Sequence, residues 1–197
     1  MAWNTEETKR KLKEAAVAEF AGFGLGGTTM ERIARRAGVN KERLYNYFGD
    51  KTRLFATVLA DELNKVAAAV PLDHLDGPEA VAEYAGAVYD YHAAHPELTR
   101  LLLWEGLADL PEVPDEATRT HYYQTKVDAF ATAQRAGLIS DELPAADLAF
   151  LTLALAGWWY AVPQMARMMH ADKPADAETP KDALMRAAAR LASPSPR

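Results

Sequence analysis

The run TTMERIARRAGVNKERLYNYFGDK, Thr28 to Lys51, leaves the chain little choice but two short helices joined by a sharp turn. Thr28 and Thr29 offer hydroxyls that cap a helix and satisfy amides its first turn leaves unpaired. Met30, Ile33, Ala34 and Ala37 then recur at helical spacing, giving one face to bury. Gly38 stands where the chain must reverse, since glycine enters the left-handed region without a Cβ penalty. Asn40 caps the next helix, and Val39, Leu44 and Phe48 give it an apolar side. Lys41, Glu42, Arg43, Tyr45, Asn46 and Tyr47 are left facing outward. Such side chains suit phosphates and base edges, and they form no catalytic set. The pattern is a helix-turn-helix, and its chemistry points to DNA.

The charge distribution agrees. The 197 residues carry a net charge of −6, yet residues 1–55 hold eleven Lys/Arg against seven Asp/Glu, a local +4, which leaves −10 for the rest. A basic head on an acidic body concentrates the attraction for phosphate at one end. The absence of cysteine excludes disulfides and thiolate metal sites and fits a reducing cytoplasm. The opening MAWNTEETKRKLKE lacks the apolar stretch of a signal peptide, so a cytoplasmic, nucleoid-associated protein is expected.

Almost everything else reads as helix, with no alternating strand. A first helix from Thr5 or Thr8 to Phe23 buries Leu12, Ala16 and Phe20, and the glycines between Gly22 and Gly27 end it. Helices over Met30–Ala37 and Lys41–Phe48 follow. A fourth, about 52–70, carries Leu54, Phe55, Val58, Leu59, Leu63 and Val66 inward until Pro71. The turn-rich PLDHLDGP (Pro71 to Pro78) marks a boundary. Beyond it, helices are expected near Glu79–His95, Pro96–Asp109, Asp115–Ala136, Ala145–His170 and Pro180–Ala192. The breaker-rich segments Leu110–Pro114, Gly137–Pro144 and Ala171–Pro180 separate them. The expected organisation is all-α. A helix-turn-helix DNA-binding domain (1–52) precedes a helical effector-binding and dimerisation domain (53–192), with helix four linking them and a disordered tail at 193–197.

The head resembles the DNA-binding domain of the tetracycline-repressor (TetR) family. The resemblance lies in AAVAEFAGFG, then GTTMERIARRAGVNKERLYNYFGDK and LFATVL, and it covers about a third of the chain. The joint occurrence of TT, IA, AGV, LYxYF and a lysine followed by LF is far more specific than any single helix-turn-helix. Carried over by position, Thr29, beside Thr28, would contact phosphate at a helix N-terminus, where dipole and free amides favour an anion. Tyr47 and Lys51 would contact the DNA backbone, and Lys41, Arg43, Tyr45 and Asn46 would face the major groove. Lysine or arginine can donate to guanine, and asparagine suits adenine. Arg43 departs from the family, which often has a small residue there, and places a long cation at the DNA surface. Arg35 and Arg36 either reach flanking phosphate or stay solvated.

Within the body, DLAFLTLALAGWWYAVPQMARMM (Asp147 to Met169) has no formal charge between Asp147 and Arg167. A membrane span needs about 20 predominantly apolar residues. Thr152, the central Trp158–Trp159–Tyr160 group, Pro163 and Gln164 argue against one, because such aromatics belong at membrane interfaces. A helix apolar all round is instead buried on two sides, against its own domain and against a partner. Pro163 is expected to kink it. This helix and the last one, with Leu184, Ala188 and Leu191, are therefore assigned to a homodimer interface, which the family resemblance also implies. Two recognition helices one DNA turn apart then read a near-palindromic operator.

Tyr84, Tyr91, Trp104, Tyr123, Phe130 and Trp158 recur at helical spacings with Val81, Val88, Leu101 and Val127. They read either as plain core or as the wall of a pocket for an apolar or aromatic effector, with His121, Gln124 or Glu105 as its polar groups. Nothing supports catalysis or a cofactor. His92 and His95 lack a third ligand, the Asp141–Glu142 pair sits in a turn without a partner base, and HExxH, GxSxG and a phosphate-binding glycine loop are all missing. The reading that emerges is a dimeric transcriptional regulator, most simply a repressor released by a small molecule. A metabolic enzyme using the aromatic cavity and a non-specific architectural module are the alternatives.

Overall fold

The computed structural model describes residues 5–108, Val113, 116–172, Pro174 and 177–195. Among them the chain forms α1 (Thr5–Gly27), α2 (Met30–Ala37), α3 (Lys41–Phe48), α4 (Lys51–Ala69), α5 (Pro78–Ala94), α6 (Pro96–Leu107), α7 (Glu116–Arg135), α8 (Ala145–Ala161), α9 (Pro163–Met169) and α10 (Pro180–Ala192). No strand occurs among the described residues, and the all-α expectation holds. The Leu110–Pro114 separator lies, apart from Val113, outside the described residues. The chain divides into two compact units, Met1–Lys65 with Pro96–Glu116, and Val66–His95 with Ala117–Arg197.

In the first unit α1 packs on α2 and α6, and α2 on α3. Leu12, Ala16 and Phe20 share one face of α1 and are fully buried, as are Ile33, Leu44, Leu54, Phe55 and Val58. Phe20 and Phe55 meet edge to face with centroids 5.2 Å apart, a geometry that adds to the roughly 1.5–3 kcal/mol each buried ring contributes. The helical path of α1 breaks at Gly24 (φ 69, ψ 178), near the expected end. At that break the Ala21 carbonyl accepts from Trp104 Nε1 at 3.2 Å and from the Arg100 guanidinium. The Trp104 ring lies where a Cβ on Gly24 would stand, 2.7 Å away. Only glycine fits both the backbone angle and the space.

In the second unit α5 packs on α8 and α10, and α10 also touches α8. Val81, Ala85, Phe130, Ile139, Leu148 and Leu184 belong to its core. The expected helix Ala145–His170 is two helices. Val162 leaves helical space (φ −131, ψ 58), and α8 and α9 are bent by 86°. Pro163 explains it: its ring lacks an N–H and drives the preceding residue out of the α region, so an expected kink becomes a break. No single helix among the described residues is long and apolar enough to cross a membrane.

The last helix, which the sequence assigns to a homodimer interface, turns one face into the core of its own unit. Leu184 and Ala188 are buried in their own unit's core, so they are not free for a partner, and Leu191 alone of the three is exposed, at 39%. Of the tail expected to be disordered, Ser193 donates to Ala189 O at 2.8 Å and Ser195 to the Glu142 carboxylate. Pro196 and Arg197 lie outside the described residues.

Candidate nucleic-acid interface

Each end of the two short helices is fixed by local chemistry. The Thr29 hydroxyl accepts from Arg32 N at 3.2 Å, the N-cap bond that starts α2. Gly38 ends it in the left-handed region (φ 65, ψ 30), and Val39 N donates back to Ala34 O at 3.0 Å. Asn40 then caps α3 by accepting from Glu42 N at 2.8 Å. Leu44, fully buried, anchors α3 to the unit. The opposite face presents Lys41, Glu42, Tyr45 and Asn46 to solvent, with Tyr45 44% exposed.

The remaining candidates are less open. Arg43 and Tyr47 are half-buried. The Tyr47 ring packs edge to face on Phe48, and the Lys9 ammonium lies 5.8 Å from its centroid. Lys41 pairs with Glu31 of α2. That hydrogen bond raises the lysine's pKa and lowers the carboxylate's, so the pair is charged at neutral pH. A phosphate or base has to compete with Glu31 for this ammonium.

Thr28 and Lys51 both have partners within the unit. Thr28 is 1% exposed and donates its hydroxyl to Glu19 Oε2 at 2.9 Å, so its side chain does not face outward. Its carbonyl accepts from Lys51 Nζ at 3.1 Å. Glu19 is itself buried and also accepts from Arg32 Nε at 3.0 Å and Arg36 Nη1 at 3.1 Å. Burial pushes its carboxyl pKa up, but the bonds from Thr28 and Arg36 and the charge of Arg32 outweigh that and hold it low. Lys51, Thr28 and Glu19 are thus linked in one hydrogen-bonded network, and Arg32 and Arg36 join it. Sequence reading missed Glu19, although an acid on the α1 stripe between Ala15, Ala16 and Phe20 was the available signal.

The seven effector candidates do not share one environment. Trp104 belongs to the first unit, on Gly24. Phe130 is fully buried core beside Val81 and Leu148. Trp158 is 56% exposed, on the same open face of α8 as Phe150 at 70%. His121 is exposed. Tyr91, 8% exposed, stacks on His95 with centroids 4.2 Å apart. Tyr84, 7% exposed, and the half-buried Tyr123 lie in the second unit with Tyr122, whose ring is 5.4 Å from that of Tyr123. The residue that sequence reading missed here is Lys126: 8% exposed, its ammonium stands 5.2 Å from the Tyr84 centroid and 4.6 Å from that of Tyr122. Among the described residues no group of three or more His, Asp or Glu side chains can hold a metal ion.

Residues 12–58 match the bacterial regulatory proteins of the tetR family, and residues 80–190 match the tetracyclin repressor-like C-terminal domain. The HTH-type transcriptional repressor SCO4008 of Streptomyces coelicolor is 42% identical over 191 residues, 96% of this chain and 97% of that protein. The crystal structure of SCO4942 from Streptomyces coelicolor, described as a candidate transcriptional regulator, is 32% identical. It covers 94% of this chain and 98% of its own, with a TM-score of 0.78. The transcriptional regulator FadR from Bacillus subtilis, solved with stearoyl-CoA, has a TM-score of 0.69 over 93% and 96% of the two chains. At 14% identity that likeness concerns the fold alone.

Proposed function

Because the chain belongs to the tetR family of bacterial regulatory proteins and is a helix-turn-helix transcriptional repressor rather than an enzyme, we propose that it acts as a homodimer on a near-palindromic operator and is released by a small-molecule effector. The observation that carries the reading is α3, held by the buried Leu44 and turning Lys41, Tyr45 and Asn46 outward. Asn46 offers a bidentate partner for adenine, and Lys41 a donor to guanine once it leaves Glu31. Arg43 and Tyr47 flank them, and the amides at the start of α2 beside Thr29 offer a phosphate site. Lys51, half-buried beside the Thr28 carbonyl, adds an ammonium for backbone phosphate, and Thr28 steadies the start of α2 through Glu19. The place of action is the DNA in the cytoplasm.

The open face of α8 supports a second copy as partner. Phe150, Ala154 and Trp158 recur every fourth residue on it, while Leu148, Ala149, Thr152 and Ala156 are buried on the other side. A large exposed apolar surface on a folded unit marks an interface. The effector belongs to the second unit, whose likeness in fold to a regulator solved with stearoyl-CoA favours an apolar ligand. Its binding changes the separation of the two recognition helices through α4, and about 1–3 kcal/mol of coupling is enough.

Selection of bound duplexes from a random DNA library, at fixed moderate salt, tests the reading. Enrichment of a near-palindrome with half-sites about 34 Å apart is expected. Binding that collapses with salt equally on every sequence would overturn it.

A further inference from the structure

The stripe that α7 turns inward contains a lysine. Tyr122, Lys126, Phe130 and Ala133 follow one another at helical spacing, and Phe130 and Ala133 sit in the core of the second unit. Lys126 takes its place on that stripe 8% exposed, between the rings of Tyr84 and Tyr122. Among the described residues no carboxylate pairs with its ammonium, and the hydroxyl of Tyr84 has no hydrogen-bond partner. Each residue is more than nine-tenths buried, yet neither polar tip is sealed from solvent, so a ligand can reach both.

The protonation states sharpen the chemistry. Burial pulls Lys126 below the usual lysine value, and no neighbouring charge offsets it. Burial also pushes the Tyr122 phenol up to about 12, and Tyr84 higher still. Both tyrosines therefore stay neutral donors at neutral pH. The cluster holds one cation, phenolic O–H groups, aromatic faces and no anion. Its complement is an anion that accepts from both, on an apolar body that the rings can cover.

We propose that the second unit binds an organic carboxylate whose head group accepts from the Lys126 ammonium and the Tyr84 hydroxyl, with an apolar or aromatic body against Tyr122 and Tyr123. This rests on the effector reading above and gives that effector its chemical class. The lysine is the recognition element, and the aromatic rings hold it in place until the anion arrives.

Three probes of one size separate the possibilities: naphthoate, naphthylmethanol and naphthylmethylammonium, each titrated calorimetrically into the full-length protein and into its operator complex. Naphthoate is expected to bind at least about tenfold more tightly than the alcohol and to release DNA. Lys126→Met should abolish that preference while the alcohol still binds, and Lys126→Arg should keep it. Tyr84→Phe should weaken naphthoate alone. Thermal unfolding establishes that each variant is folded. If the alcohol or the ammonium compound binds as well as naphthoate and releases DNA, the carboxylate is wrong but the effector reading stands. If none of the three binds or releases DNA, this proposal and its placement of the effector site fail together.

Discussion

The hydroxyl of Thr28 donates to Glu19 across 2.9 Å, inward from the segment that introduces the helix-turn-helix. The same carboxylate takes bonds from Arg32 and Arg36, so one buried acid fixes the approach to α2 and two points along it. The orientation of α2, and of α3 packed on it, depends on a side chain buried inside the unit.

Glu19→Gln should therefore destabilise the protein by about 1–2 kcal/mol. That is less than the loss of a fully buried pair, because Arg32 and Arg36 are partly solvated. The Glu19 pKa is lowered in the folded state, so its contribution is complete above the unfolded value of about 4.3 and disappears as pH falls through the folded one. Melting temperatures of the two proteins should differ at pH 7 and converge in acid. A gap that stays constant down to pH 3 would show that the carboxylate's charge is irrelevant.

Gly24→Ala tests the joint between α1 and α6. The substitution forces an L-residue to a φ of 69° and places its methyl 2.7 Å from the Trp104 ring, which cannot move without breaking its bond to Ala21. Strain and overpacking together are expected to cost about 2–4 kcal/mol in chemical denaturation. Gly22→Ala, with nothing near the added methyl, is the control and should be close to neutral.

This joint also marks where sequence reading stops. The bounds of α2, α3 and α10 were legible because caps, a left-handed glycine and a proline announce them locally. Trp104 could not be placed by the same means. Its spacing groups it with the aromatics of the second unit, but the break at Gly24 opens a seat for it in the first. Trp158 and Phe130 have the same pattern and opposite fates, one on an open face and one in the core. Periodicity reports which residues share a face, and it is silent on what that face meets. Thr28 failed differently: either of two adjacent threonines can cap a helix, and only the position of Glu19 decides that Thr29 does so.

That division of labour is measurable. Asn46→Ala removes an outward side chain and should cost about 1–3 kcal/mol at selected base pairs, leaving stability unchanged. Thr28→Val keeps the shape and deletes the bond to Glu19. It should lower the melting temperature while leaving the ranking of operator variants intact. A changed base preference for Thr28→Val would put Thr28 at the DNA after all.

Phe150→Arg and Trp158→Arg place charge on the exposed face of α8, where neither ring supports the core of its own unit. Each should convert a dimer to a folded monomer in sedimentation velocity, with operator binding falling by at least a hundredfold as the two half-sites are no longer linked, on the order of 3 kcal/mol. Leu148→Arg, on the buried side, should unfold the protein instead. Unchanged sedimentation of both exposed-face variants would remove α8 from the interface.

Lys126 makes the opposite kind of prediction: a substitution that strengthens the fold. Burial disfavours its charged form, and nothing of opposite sign compensates. Methionine keeps the length and the apolar stem and removes the charge. Lys126→Met should therefore raise stability at pH 7 by about 1 kcal/mol. Because the folded pKa is the depressed one, the folded wild type sheds its proton before the unfolded chain does. Its handicap is full below the folded value and is relieved as pH climbs from there to the unfolded one near 10.4. The advantage of the variant should shrink over that range. A lysine that weakens the fold and is kept for a ligand is what a stability–function trade-off produces. Should Lys126→Met melt lower than wild type at every pH, the residue is structural and the ammonium's contacts with Tyr84 and Tyr122 outweigh its burial.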